Sequence, residues 1–139
     1  MGNFRKFEAW KACFDLTLAV FEATKAWPKA ELFGITSQVR RAAVSAGANM
    51  AEGSGKHSHA DFARYLDIAN GSLAELEHLL LLLRELRLLP NDAWQRLDAG
   101  RANAAKLTLG LFRYFTSQPT PNRPGRPPRR QLSDPGPGS

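Results

Sequence analysis

Several short constellations in the sequence have residue types suited to chemistry, and their spacing decides which chemistry is open. The segment Glu52-Gly53-Ser54-Gly55-Lys56-His57 has the glycines and lysine of a phosphate-cradling loop. Such a loop needs a glycine five residues before its Gly-Lys pair, Ser or Thr after it, and a strand leading in. Met50 and His57 occupy those two places and a helical segment leads in, so nucleotide binding of that type is excluded. Glu75 and His78 have the Glu-x-x-His spacing with which di-iron bundles aim two ligands inward. The second pair is missing, and at about 100° per residue His78 falls with Asp67 and Glu85, away from the main leucine face. A solvated histidine is the expectation. His57 and His59 flank one serine and define no metal site. Cys13, the single cysteine, has no local signature of an activated thiol and excludes an intramolecular disulfide framework. The expectation is a protein that is not an enzyme and uses no cofactor or metal.

The remaining chemistry is charge. The chain of 139 residues holds 19 Lys plus Arg against 13 Asp plus Glu, a formal net charge of +6. Half of that excess lies in residues 117–139, SQPTPNRPGRPPRRQLSDPGPGS, with four arginines, one acid and seven of the nine prolines. Proline at this density blocks helices and central strands, and Leu132 is the only large aliphatic there, so a disordered or polyproline-like tail is expected. Phosphate binding is electrostatic and salt-sensitive. The candidate nucleic-acid contacts are therefore Arg40 and Lys56 in the first part of the chain and Arg123, Arg126, Arg129 and Arg130 in the tail. No recognition helix, aromatic RNA-binding motif or zinc finger accompanies them, so sequence-specific reading is not expected.

Four helical segments must position these residues. The first is expected over about Phe7 to Ala26, with Phe7, Trp10, Phe14, Leu18 and Phe21 at three- and four-residue spacings forming a core face. The second runs from Thr36 or Ser37, either a suitable N-cap, to Glu52, and Gly53 and Gly55 end it. The third begins near Ser58 and continues to about Leu88 before Pro90. Its inward face is Phe62, Tyr65, Leu66, Ala69, Leu73, Leu76, Leu80 and Leu83, with Leu81 and Leu82 outside it. The fourth spans Asp92 to Thr116, opens on an Asp92/Gln95 capping box, and turns Ala93, Leu97, Ala104, Leu107, Leu111 and Phe115 inward. No period-two segment is long enough for a strand. An all-α, up-and-down antiparallel four-helix bundle over residues 1–116 follows, with the tail over 117–139 as a separate segment.

The second helix lacks the broad charged face of a surface helix. Val39, Ala42, Ala43, Ala46, Met50 and Gly53 share one arc, Gln38, Arg41, Ser45, Asn49 and Glu52 the next, and Val44, Gly47, Ala48 and Ala51 the rest with Arg40. This uncharged helix, beside the stray leucines of the third, points to a homo-oligomer. The N-terminal stretch is broken by Lys6, Glu8, Lys11 and Asp15 and does not read as a signal peptide. No apolar run approaches the roughly 20 residues of a membrane span. A cytoplasmic protein with no membrane partner is expected.

An ordered set of motifs carries a resemblance. Glu31-Leu32-Phe33-Gly34-Ile35-Thr36, Gln38, Arg40-Arg41-Ala42-Ala43, Ser45 and Asn49-Met50-Ala51-Glu52-Gly53-Ser54-Gly55 come first. Phe62, Leu66, Ile68-Ala69, Gly71-Ser72 and Glu75-Leu76 follow. Together they resemble the bacterial four-helix bundle proteins known as 23S ribosomal RNA intervening sequence proteins, across roughly residues 4 to 116. Met50 stands where isoleucine is usual and Lys56 where arginine is common. The resemblance implies a ring-like homopentamer and supplies no catalytic residues. It also implies that Gln38, Arg41, Ser45, Asn49 and Glu52, with Ser72 and Glu75, form a buried polar network that fixes helix register. The fold is similar to that of basic pentameric accessory proteins of diversity-generating retroelements, which bind a reverse transcriptase and nucleic acid. The function expected is a non-enzymatic oligomeric scaffold that binds RNA or DNA, the alternative being an adaptor that docks on a partner enzyme.

Overall fold

A 3-10 turn at Phe4–Lys6 leads into helix α1, Glu8–Thr24, in the computed structural model, which describes residues 2–28 and 34–118. Helix α2 spans Ile35–Ser54, α3 His59–Glu85 and α4 Asn91–Ser117. Among the described residues there is no strand. The tail predicted over 117–139 falls almost wholly outside the described residues, as do Glu31, Leu32 and Phe33.

The helix ends show which local signals won. At α3 the Ser58 hydroxyl caps the first turn by accepting the Asp61 N–H at 3.0 Å, the role this residue type performs best. The other end stops three residues before Leu88. Arg87 takes a left-handed conformation with φ 59°, the Leu88 N–H bonds the Leu83 carbonyl and the Arg87 N–H bonds the Arg84 carbonyl, both at 3.0 Å. That pair of bonds is a Schellman closure with arginine in the place glycine normally takes. Helix α2 begins at Ile35 with Gly34 as N-cap, so Thr36 lies buried in the first turn instead of capping it. Gly53 does not end α2 but sits inside it. Pro90 precedes α4 and no side chain caps that helix, so the Asp92/Gln95 capping box does not form; Asp92 contributes a negative charge to the first turn, where the helix dipole favours it.

The helices pack in a ring, α1 against α2, α2 against α3, α3 against α4 and α4 against α1, with no close backbone approach across either diagonal. Phe115, near the end of α4, meets Phe7 before α1 and Phe62 at the start of α3, at ring-centroid distances of 6.4 and 4.7 Å. Gly53, at the end of α2, packs on Phe62 and Tyr65. The helices therefore alternate up and down, and one end of the bundle gathers the starts of α1 and α3 with the ends of α2 and α4.

Helix α3 supplies the centre of the core: Phe62, Leu66, Ala69, Leu73, Leu76, Leu80 and Leu83 are at most 1% exposed. Tyr65 is only half-buried, and Leu81 and Leu82 lie outside as expected. On α4 the buried positions are Leu97, Ala104, Thr108 and Phe115, while Ala93, Leu107 and Leu111 are half-buried.

The face of α1 requires the largest correction. Its buried residues are Ala9, Cys13, Leu16, Val20 and Thr24. Phe14, Leu18 and Phe21 are 47, 55 and 40% exposed. Small side chains let α1 approach α2 closely, as the Thr17 hydroxyl shows by donating to the Ala43 carbonyl of α2 at 3.0 Å. The bulky residues are rotated about a quarter turn or more away from that seam, at 100° per residue.

Candidate nucleic-acid interface

Because the helices alternate, cations distant in sequence meet at one end. Arg5 and Lys6 come from the 3-10 turn, Lys56 from the α2–α3 connection, Arg64 from the first turns of α3, and Arg113 from the last turns of α4. The N-terminus is tied to this end by the Gly2 N–H, which donates to the Ser54 carbonyl at 3.1 Å. Tyr65 forms a platform here: Lys56 Nζ lies 5.3 Å and the Arg64 guanidinium 4.8 Å from its ring centroid. Its hydroxyl donates to Glu52 at 3.3 Å. Arg5 and Lys6 lie 5.8 Å from the rings of Phe4 and Phe7. A cation over an aromatic face keeps its full charge.

The charge balance differs between the two ends of the bundle and its middle. Segments 2–11, 52–64 and 113–118 hold six Lys or Arg and three Asp or Glu, segments 22–28, 34–41 and 84–96 at the opposite end hold the same numbers, and the rest of residues 1–118 holds three and six. Among the described residues, ion pairs occupy Lys25, Arg84, Arg96 and Arg101 away from this end, while Arg40, Arg41, Arg87 and Lys106 have none. Arg101 is the most enclosed, reaching Glu77 of α3 at 3.0 Å and Asp98 at 2.7 Å, and clamps α3 to α4. At the cationic end only Lys11 pairs, with Glu8; Arg5, Lys6, Lys56, Arg64 and Arg113 have no acidic partner among the described residues. The chain leaves α4 at Gln118, at this same end, toward Arg123, Arg126, Arg129 and Arg130, which lie outside the described residues.

Arg40 is placed apart from Lys56. Sixteen residues separate them along the α2 axis, about 24 Å at 1.5 Å per residue. Arg40 is half-buried, its Nε donates to the Thr24 hydroxyl at 3.0 Å and its guanidinium covers Phe21 at 4.8 Å. The residues that the sequence reading omitted are Arg5, Lys6, Arg64 and Arg113. The signal that locates them is topological: in an up-and-down bundle, charges at alternate helix ends add together.

The polar stripe of α2 divides in two. The Asn49 amide donates to the Ser45 carbonyl and hydroxyl at 2.9 and 3.0 Å, the two hydroxyls of Ser45 and Ser72 are 2.9 Å apart, and Ser72 donates to the Ile68 carbonyl at 3.3 Å. With Ser72 donating to that carbonyl, Ser45 donates to Ser72, giving a directed chain from α2 into α3. Gln38, Arg41, Glu52 and Glu75 are exposed in the single chain; Glu52 joins the stripe to Tyr65.

The other candidate chemistries have equally definite positions. Glu75 and His78 are both exposed, and among the described residues no three His, Cys, Asp or Glu side chains converge as metal ligands would. Cys13 is fully buried, and burial pushes its thiol up to about 11, a hydrogen bond with Thr108 opposing the rise. A thiol so placed stays protonated near neutral pH and is a poor nucleophile. No described helix is long and apolar enough to cross a membrane.

Residues 5–109 match the family described as 23S rRNA-intervening sequence protein. No curated protein matches the chain. Among solved structures, a protein with unknown function from the S23 ribosomal protein family of Bacteroides thetaiotaomicron VPI-5482 is similar, with a TM-score of 0.70 and 22% identity over 75% of this chain and 97% of that one. At that identity the likeness concerns the fold.

Proposed function

The chain belongs to the family of 23S rRNA-intervening sequence proteins, and from that premise we propose that it is a non-enzymatic, oligomeric scaffold that binds RNA or DNA through the cationic end of its bundle. The observation that carries this reading is the number of cations left without an acidic partner among the described residues at one end, Arg5, Lys6, Lys56, Arg64 and Arg113, against Arg40, Arg41 and Arg87 at the other. The four tail arginines follow Gln118 in the sequence. Lys56, Arg5, Lys6 and Arg64, with Arg123, Arg126, Arg129 and Arg130, are the proposed phosphate contacts, and Arg40 is a secondary one.

The reading includes assembly. Ile68, Leu82 and Leu86 are exposed large apolar side chains on α3 and just beyond it. A second copy is the proposed partner of this surface, and the homopentamer of the family resemblance is the proposed form. Bringing several cationic ends together multiplies weak phosphate contacts into avidity.

The test is a titration of the full chain into labelled structured RNA and duplex DNA at low and moderate salt. Binding that weakens steeply with salt is expected. Replacing Lys56 and Arg64 together by Gln weakens it further, and replacing Lys25 and Arg96 at the opposite end leaves it unchanged. Absence of binding at low salt overturns the reading in favour of the adaptor on a partner enzyme. Light scattering that finds only the 15.3 kDa monomer at micromolar concentration removes the assembly.

A further inference from the structure

The aromatic side chains that α1 leaves outside the core begin at the cationic end. Phe4 lies 5.0 Å from Trp10, and Trp10 stacks on Phe14 at 4.9 Å with the rings 25° from parallel. Trp10 rests against Gly47 of α2, whose absent side chain leaves a flat bed: a Cβ there would stand 3.7 Å from the indole nitrogen. One face of Phe14 is taken by Trp10 and the other is open, consistent with an exposure of 47%. Leu18 and Phe21 continue the stripe, and Arg40 covers Phe21 at its far end.

Charge is segregated around this stripe. Taking about 100° per residue from Trp10, the residues Phe14, Thr17, Leu18 and Phe21 fall within an arc from 340° to 80°, whereas Glu8, Asp15 and Glu22 cluster between 120° and 160°. The neighbouring outward residues of α2 are Val44, Ala48 and Ala51, which carry no charge. Among the described residues the stripe is therefore free of acids, with Arg5 and Lys6 at one end and Arg40 at the other. Aromatic faces flanked by cations are the combination that holds unpaired nucleotides, since a base stacks on the ring while its phosphate meets the cation. A duplex keeps its bases stacked on one another and offers no such face.

We propose that the exposed ring of Phe14, stacked on Trp10, is a base-stacking platform for single-stranded nucleic acid entering from the cationic end. The proposal rests on the nucleic-acid reading above and narrows it to unpaired strands.

The test compares the full-length wild type, Phe14→Leu and Phe14→Ser for binding to labelled oligo-dT, oligo-U and a duplex of equal length at low salt. Light scattering reads the assembly state of each. Leucine keeps an apolar surface but removes the ring. The expected result is tighter binding of either single strand than of duplex. Phe14→Leu then weakens the single strands about 5-fold or more while duplex binding and assembly state stay unchanged. Equal binding of single strand and duplex that Phe14→Leu does not alter overturns the platform and leaves the nucleic-acid reading standing. No binding of any probe by wild type overturns both. If Phe14→Leu preserves single-strand binding and Phe14→Ser lowers the assembled mass, the stripe is a contact between copies and the platform is rejected.

Discussion

Helices α1 and α3 both carry large apolar side chains at three- and four-residue spacings, yet α3 buries them and α1 turns most of them outward. The contrast comes from what each helix packs against. On α3 the leucine face meets the small-residue face of α2 and the broad face of α4, and the volume between the backbones suits leucine and phenylalanine. On α1 the strip turned to the neighbouring helices is Ala9, Cys13, Leu16, Val20 and Thr24, with Cys13 over Gly47 of α2, and the bulky stripe lies to one side of it. Bulk at helical spacing identifies an apolar face; which side the neighbouring helices cover decides whether that face is the buried one. What α1 exposes is consequently free to act between molecules.

The largest effect is expected on the α3 side of this contrast. Leu76 is fully buried, and Leu76→Ala should cost about 3 kcal/mol, the lost transfer energy plus a cavity that the surrounding helices only partly close. Urea unfolding followed by circular dichroism measures it. A loss below about 1 kcal/mol would mean that the α3 core is loose, and the contrast with α1 would dissolve.

Somewhat smaller is the effect of crowding the α2–α3 seam. A Cβ at Gly53 would lie 2.4 Å from the Tyr65 Cβ, an atom close to the backbone that cannot swing aside, so Gly53→Ala should cost about 2–3 kcal/mol through overpacking. Gly47 on the same helix gives the control. The nearest atom a Cβ would meet there is Cys13 Cβ at 3.6 Å, ordinary contact, and Gly47→Ala should be neutral or stabilising by up to about 1 kcal/mol through helix propensity. Equal penalties at the two glycines would contradict the packing described for α2.

The inner face of α1 can be examined through its thiol. Cys13 is raised to about 11 by burial from an ordinary value of 9.0. Below pH 9 the thiol is protonated whether the chain is folded or not. Between pH 9 and 11 the unfolded chain releases that proton and the folded chain holds it, so stability falls as pH rises. The loss is on the order of 2 kcal/mol over that window. Cys13→Ala should flatten the alkaline decline by that amount, read as the difference between the two stability–pH curves. Parallel curves would place Cys13 in a wetter environment than the bundle interior.

These contrasts show what could be read from the residues. The four helices and the α3 face were legible because long apolar periodicity leaves little alternative. The start of α3 near Ser58 was legible, and its hydroxyl proves to be the cap. The burial of α1 was not, since it depends on the partner helix, and Phe14 and Cys13 exchange roles only when α2 is in place. Gly53 read as a terminator because glycine usually stops helices; the close approach of Tyr65, which gives it another purpose, is tertiary. The candidate site was half legible. Lys56 was found from its local cluster, but Arg5, Lys6, Arg64 and Arg113 join it only after the chain alternates direction. Splitting the charge by position along the chain separated body from tail, whereas splitting it by bundle end joins them.

The smallest expected effect on stability is also the one that bears most directly on function. Phe14 contributes little to the core because its buried ring face rests on Trp10, itself only half-buried, so Phe14→Ser should change unfolding free energy by no more than about 0.5 kcal/mol. Two residues on, Leu16 points inward and is 4% exposed; Leu16→Ser would remove a buried side chain and leave a hydroxyl in its place, a loss of the same class as Leu76→Ala. If both serine variants destabilise alike, α1 buries its bulky face and the stripe is not available to a partner. If Phe14→Ser is silent in unfolding, its surface is retained for something other than folding the monomer, and a nucleotide ring or a second copy becomes the object the stripe must be tested against.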